Sequence, residues 1–178
     1  MRYVMVPGIG GSDVDHWQSW WERELGPDAS RISPVSWDAP DEADWLDAIG
    51  ERVDGGAVLV AHSLGCLAVT TWLACNPSSD VAGAFLVAPP DLSRPSFPAA
   101  ASSFSVASAR MPVPTLVVAS SDDPYGSLVV AREFATAWGA SFIDAGALGH
   151  INGESDLGSW RQGRDLLAAF TAGLGPEV

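Results

Sequence analysis

Three residues of this chain have the types, and stand in the order, that acyl transfer needs: Ser63, Asp123 and His150. A serine hydroxyl is a weak nucleophile until a base takes its proton, and the base needs an acid to orient it. His150, in Gly146-Ala147-Leu148-Gly149-His150-Ile151-Asn152-Gly153, is the only histidine after Ser63, so it is the candidate base. For the acid, Asp123 is preferred because it abuts Pro124, where a helix is expected to open. Asp122 competes with it, and Asp144 is a third candidate. His62 adjoins Ser63, but successive side chains diverge at a tight turn, so it is read as packing or hydrogen bonding nearby.

Ser63 lies in Ala61-His62-Ser63-Leu64-Gly65, directly after the apolar run Gly56–Ala61. A serine exposed on a sharp strand-to-helix turn needs small residues two before and two after it, because larger ones would strike the neighbouring strand and helix. Ala61 and Gly65 meet that need. The developing oxyanion of acyl transfer requires hydrogen-bond donors. The Leu64 amide, next to Ser63, is one candidate. The second should come from Val6-Pro7-Gly8-Ile9-Gly10-Gly11, with Ile9 preferred and Gly10 as the alternative. Gly10, His16, Tyr125 and Ile151 are the candidate substrate contacts. His16 has a rival reading as a cap or packing residue.

The elements that must position these residues alternate between strand and helix. Tyr3–Val6 reads as a first strand followed by a glycine-rich turn. Ser12 or Asp13 is expected to cap a helix with Val14, Trp17, Trp21 and Leu25 on one face and Gly26-Pro27 at its end. Trp20 then falls at a pocket rim or on the surface. Arg31–Val35 is a candidate edge strand, and a helix is expected over about 40 to 53. The run at 56–61 shows no alternation, as in a central parallel strand covered on both faces. The helix after it ends at Asn76-Pro77.

Further strands are expected at 81–88, 115–120 and 141–144, with helices from Pro124 to about Trp138 and from about Leu157 to Leu174. This order implies one α/β domain over 1–178, with a mostly parallel sheet and helices on both faces. The six prolines between Pro89 and Pro114 mark an irregular connection, either a functional loop or a surface excursion.

The composition removes several function classes. Of the 178 residues 47% are hydrophobic and 17% charged, which is a globular balance. The net charge of −13 opposes nucleic acid and anionic membranes as partners. All nine basic residues are arginine, which excludes a Schiff-base or P-loop lysine. Cys66 and Cys75 do not form a disulfide framework, and no histidine spacing suits zinc. No metal or cofactor is expected. No apolar run reaches bilayer length, and the N-terminus lacks a secretory h-region, so a cytoplasmic protein is expected. Nothing in the sequence sets an oligomeric state. A dinucleotide-binding reading of Val4–Asp13 fails because Asp13 occupies the third glycine position of the fingerprint.

Four separated motifs, "VPGIGGSDVDHWQSWWE", "AHSLGC", "ASSDDPYGS" and "GHINGESDLGSW", resemble the small serine hydrolases related to retinoblastoma-binding protein 9 and the bacterial YdeN proteins. The likeness spans nearly the whole chain. It implies a compact α/β-hydrolase fold without a large cap domain, and a triad on Ser63, Asp123 and His150. Ala61 departs from the glycine of many relatives but is small enough to leave that mapping intact. The expected function is cleavage of a small ester, or an amide or peptide, through an acyl-enzyme. The alternative is a protein-interaction module on a hydrolase scaffold.

Overall fold

The computed structural model describes residues 1–175. In chain order its elements are β1 (Tyr3–Val6), α1 (Trp17–Leu25), β2 (Ala29–Arg31), α2 (Glu42–Gly50), β3 (Ala57–His62), α3 (Leu64–Cys75), β4 (Val81–Val87), β5 (Thr115–Ala119), α4 (Leu128–Trp138), β6 (Ser141–Asp144) and α5 (Arg161–Ala172). Single 3₁₀ turns occupy Gly26–Asp28, Ala99–Ala101 and Gly153–Ser155. The six strands form one sheet in the order β2-β1-β3-β4-β5-β6, and every pair is parallel. This is an α/β architecture built on one wholly parallel sheet.

Side chains alternate across each strand and so feed two cores. Leu59 and Ala61 of β3, Leu86 of β4 and Val117 of β5 join Trp45 and Ile49 of α2, Leu67 of α3 and Trp138 of α4 on one face. Val58 and Val60, Phe85 and Val118 join Trp17 and Trp21 of α1 and Leu167 of α5 on the other. All six residues of β3 are buried, the physical reason its sequence is a continuous apolar run. Helix α3 is buried on nearly every side and shows no polar face to water.

Several element boundaries differ from the sequence expectation, each for a local reason. Helix α1 begins only at Trp17, capped by His16 rather than by Ser12 or Asp13. The Asp13 carboxylate instead accepts the Asp15 and His16 amides in a turn that leaves Val14 exposed. Strand β2 ends at Arg31; beyond it only the Ile32 amide still reaches Met5 of β1. Helix α2 is confined to Glu42–Gly50, with Asp41 as its cap. Helix α4 starts at Leu128 on a Ser127 cap, not at Pro124. Helix α5 starts at Arg161, because Gly158 and Trp160 adopt left-handed conformations (φ 55° and 42°) that break any earlier turn.

The chain runs from β1 outward to β2, then returns past β1 to β3. The strand order therefore reverses between β1 and β3. Ligands of open α/β sheets bind at such a switch point, beyond the carboxyl ends of the strands. The loop after β1 and the turn after β3 meet there, and they carry Ile9 and Ser63.

Candidate active site

Ser63 joins β3 to α3 with φ 52° and ψ −123°, a conformation that costs a non-glycine residue about 1–3 kcal/mol. The fold holds it there from both sides. Its amide donates to the Val87 carbonyl at 2.9 Å, and its own carbonyl accepts the Cys66 amide at 2.9 Å. Two glycines make the turn possible. A Cβ on Gly65 would lie 2.2 Å from the Val6 carbonyl oxygen, and one on Gly8 would lie 2.9 Å from the Ser63 Cβ. Gly65 thus lets α3 start hard against the end of β1.

His150 lies in the loop after β6 and Asp123 in the loop after β5. The fold brings both to Ser63. His150 Nε2 is 2.9 Å from Ser63 Oγ, and His150 Nδ1 is 2.9 Å from both Asp123 oxygens. A carboxylate only accepts, so Nδ1 carries a proton and Nε2 presents its lone pair to the hydroxyl. Asp123 Oδ1 also accepts the Tyr125 amide at 2.8 Å, which fixes the carboxylate plane. All three side chains are buried.

The competing acids are engaged elsewhere. Asp122 Oδ1 accepts Ser120 Oγ at 2.8 Å and the Gly149 amide at 2.7 Å, and these bonds, that of Ser120 first, hold its carboxyl below the ordinary aspartate value. Asp144 caps the Gly146 amide at 2.9 Å. Neither hydrogen-bonds to the His150 ring.

Leu64 and Ile9 both line the cavity beside Ser63. Neither the Leu64 nor the Ile9 N–H has an acceptor among the described residues, and Leu64 opens α3, where the helix dipole adds positive potential. Gly10 is placed differently. Its amide donates to the Trp37 carbonyl at 2.9 Å and it lies off the cavity wall, which corrects the expectation that it serves as an oxyanion donor or substrate contact.

With this geometry in place, the chain can be set against known proteins. A family model described as serine hydrolase matches residues 3–169. The chain belongs to the serine hydrolase family. Among solved structures it is similar to a YdeN-like hydrolase of Pectobacterium atrosepticum, with 35% identity, TM-score 0.86, and 98% of this chain and 92% of that one covered. It is also similar to the YdeN gene product of B. subtilis, with 21% identity, TM-score 0.79, and coverage of 97% and 100%. Est1E of Butyrivibrio proteoclasticus, solved with ferulic acid, shares the fold at 12% identity, TM-score 0.71, and coverage of 96% and 89%. No curated protein matches the chain. The protein is a hydrolytic enzyme.

A cavity of about 320 Å³ opens over Ser63 in this hydrolase, at the small end of the range for ligand sites. Ile9, Leu64, His16 and Tyr125 line it. Ile151 does not: it is fully buried in the core beneath, with its carbonyl accepting Trp17 Nε1 at 2.7 Å. Its left-handed backbone (φ 50°) turns the side chain inward, which corrects its assignment as a substrate contact.

Sequence reasoning missed Phe97 and Pro98, which form one wall of the cavity, and Asp13, Asn152 and Glu154 on another. The only signal for the wall was the proline-rich break from 89 to 114. That segment is anchored at several points. The Asp91 amide donates to Tyr125 and Arg94 Nη1 to Pro124, both at 3.0 Å. Phe104 enters the core, and Trp138 Nε1 holds the Ala107 carbonyl at 2.9 Å.

The other two histidines and the cysteine near Ser63 are held neutral. His16 and His62 are buried, and desolvation disfavours their charged forms. Burial, and then the charge of Arg31, take His16 down to about 4 despite Asp13, while burial with His16 and His150 nearby takes His62 well below the usual imidazole value. Cys66, buried behind the turn with its thiol on the Val87 carbonyl, is pushed up by burial and offers no competing thiolate.

Proposed function

We propose that the enzyme cleaves a small, neutral ester through a Ser63–His150–Asp123 triad and a covalent acyl-enzyme, with residues 1–178 acting as one catalytic domain. The observation that carries this reading is the unbroken chain of 2.9 Å contacts from the Ser63 hydroxyl through His150 to Asp123. Ser63 Oγ attacks the carbonyl carbon while His150 Nε2 takes its proton. The Leu64 and Ile9 amides donate hydrogen bonds to the carbonyl oxygen as negative charge develops on it. Collapse of the tetrahedral intermediate expels the alcohol, which takes the proton back from His150. Water, deprotonated by the same imidazole, then releases the acid.

The cavity walls support the substrate class. Their charged residues among those described are Asp13 and Glu154, with no arginine, so a carboxylate-bearing substrate would meet only like charge. The apolar wall of Phe97, Pro98 and Ala101 suits a short hydrocarbon group.

Labelling with a fluorophosphonate, followed by peptide mass spectrometry, tests the reading. A single adduct on Ser63, absent in Ser63→Ala together with ester turnover, is expected. Undiminished turnover by folded Ser63→Ala would refute it.

A further inference from the structure

The loop that carries His150 has almost no secondary structure of its own to fix it. Between β6 and the turn at Gly153–Ser155 its only internal main-chain bond near the histidine is Ile151 N–H to the Leu148 carbonyl, at 3.2 Å. Gly149 and Ile151, on either side of His150, both have positive φ (58° and 50°). Instead, four consecutive residues are each held by a side chain from another part of the chain. The Leu148 amide donates to Ser120 Oγ at 2.9 Å, and the Gly149 amide to Asp122 at 2.7 Å. The His150 carbonyl pairs with His62 Nε2 at 2.9 Å, and the Ile151 carbonyl accepts Trp17 Nε1 at 2.7 Å.

We propose that His62 is a positioning residue for the base: its Nε2–H clamps the main-chain carbonyl of His150 and thereby sets the distance from the imidazole to Ser63. This rests on the reading of Ser63 and His150 given above. The geometry makes the assignment specific. A carbonyl only accepts, so His62 must carry its proton on Nε2. His62 is the last residue of β3 and is bonded directly to Ser63, so one donor ties the backbone of the base to the backbone of the nucleophile. The His62 ring is itself held on two sides, by His16 at 4.8 Å and Trp17 at 6.0 Å between ring centroids.

Its neighbour across the clamp, the His150 ring, lies 4.9 Å away. When His150 becomes imidazolium during the reaction, a second cation so close would oppose it, and the burial of His62 keeps it neutral. An imidazole at the buried end of β3 then has a physical reason. The position needs a buried, neutral N–H donor long enough to reach the opposite loop, and histidine supplies one without a charge to desolvate.

The test compares His62→Leu, which removes the donor, with His62→Gln, whose Nε2–H reaches a similar point, and with His62→Asn, which is polar but too short. Steady-state kinetics on a neutral ester should show kcat lowered about a hundred-fold in Leu and Asn, the scale of a 1 Å misplacement, with KM nearly unchanged. Gln should recover most of the loss. In a Ser63→Ala background, the NMR resonance of the His150 Nδ1 proton bonded to Asp123 should persist with Gln and broaden or vanish with Leu or Asn. Wild-type kcat in folded Leu or Asn would overturn the proposal, as would equal losses in all three variants with that resonance intact. If Ser63→Ala retained turnover, the proposed function would fall instead, while the resonance would still report whether His62 holds the loop.

Discussion

His16 offers a quantitative test of the buried histidines, because its cap and its titration can be separated. Its Nδ1 accepts the Gln18 amide at 3.2 Å to cap α1, while its Nε2 is buried without a partner. In the folded protein it protonates only at about 4, against 6.5 for an unperturbed imidazole. Between those values the unfolded chain binds a proton that the folded chain does not, so stability must fall as pH falls from about 6.5 to about 4. A shift of that size corresponds to about 3 kcal/mol at the acid end.

His16→Asn keeps an oxygen where Nδ1 caps the helix and removes the titrating group, and the partnerless Nε2 means that no hydrogen bond is lost with it. Urea unfolding of wild type and variant at pH 7, 5.5 and 4.5 measures the effect. The variant should be somewhat less stable at pH 7, having lost packing against Trp17 and His62, and its profile should be flatter toward acid. Part of the acid loss will remain, because His62 is depressed in the same direction. Parallel profiles for the two proteins would refute the assignment of that proton to His16.

Replacing each rival acid separates their roles. Asp123→Asn should lower kcat by about 10⁴, since an amide can present N–H to His150 and select the wrong tautomer. Asp122→Asn keeps an oxygen that accepts from Ser120 and Gly149 and should lose only a small fraction of that, as ester kinetics would show. Gly65→Ala places a Cβ 2.2 Å from the Val6 carbonyl and should cost about 3 kcal/mol or more in urea unfolding. Between two esters of equal size, one neutral and one bearing a carboxylate on its acyl chain, kcat/KM should favour the neutral one, and more so at low salt.

Much of this protein is legible along the chain where the controlling physics is local. Strands β3, β4 and β5 show as continuous apolar runs because a parallel strand covered on both faces has no polar side to display. Ser63 was visible because a tight turn needs small neighbours within two residues, and Ala61 and Gly65 supply them. Helix starts were harder to read. Pro124 has the preferred chemistry of a first helical turn, yet α4 waits for Ser127, because Asp123, Pro124 and Tyr125 are bonded to His150, Arg94 and Asp91.

What tertiary structure alone decided is which of several similar groups met. Asp122 and Asp123 are adjacent and chemically identical; only the crossing of the β5 and β6 loops gives one of them to Gly149 and the other to His150. Ile151 and Tyr125 were both plausible at a pocket, and the left-handed turn at Ile151 sent its side chain to the core. The neutrality of His16 and His62 also depends on burial between distant segments. A sequence specifies side-chain chemistry and local turns, but solvation and long-range hydrogen-bond partners exist only once the chain has closed on itself.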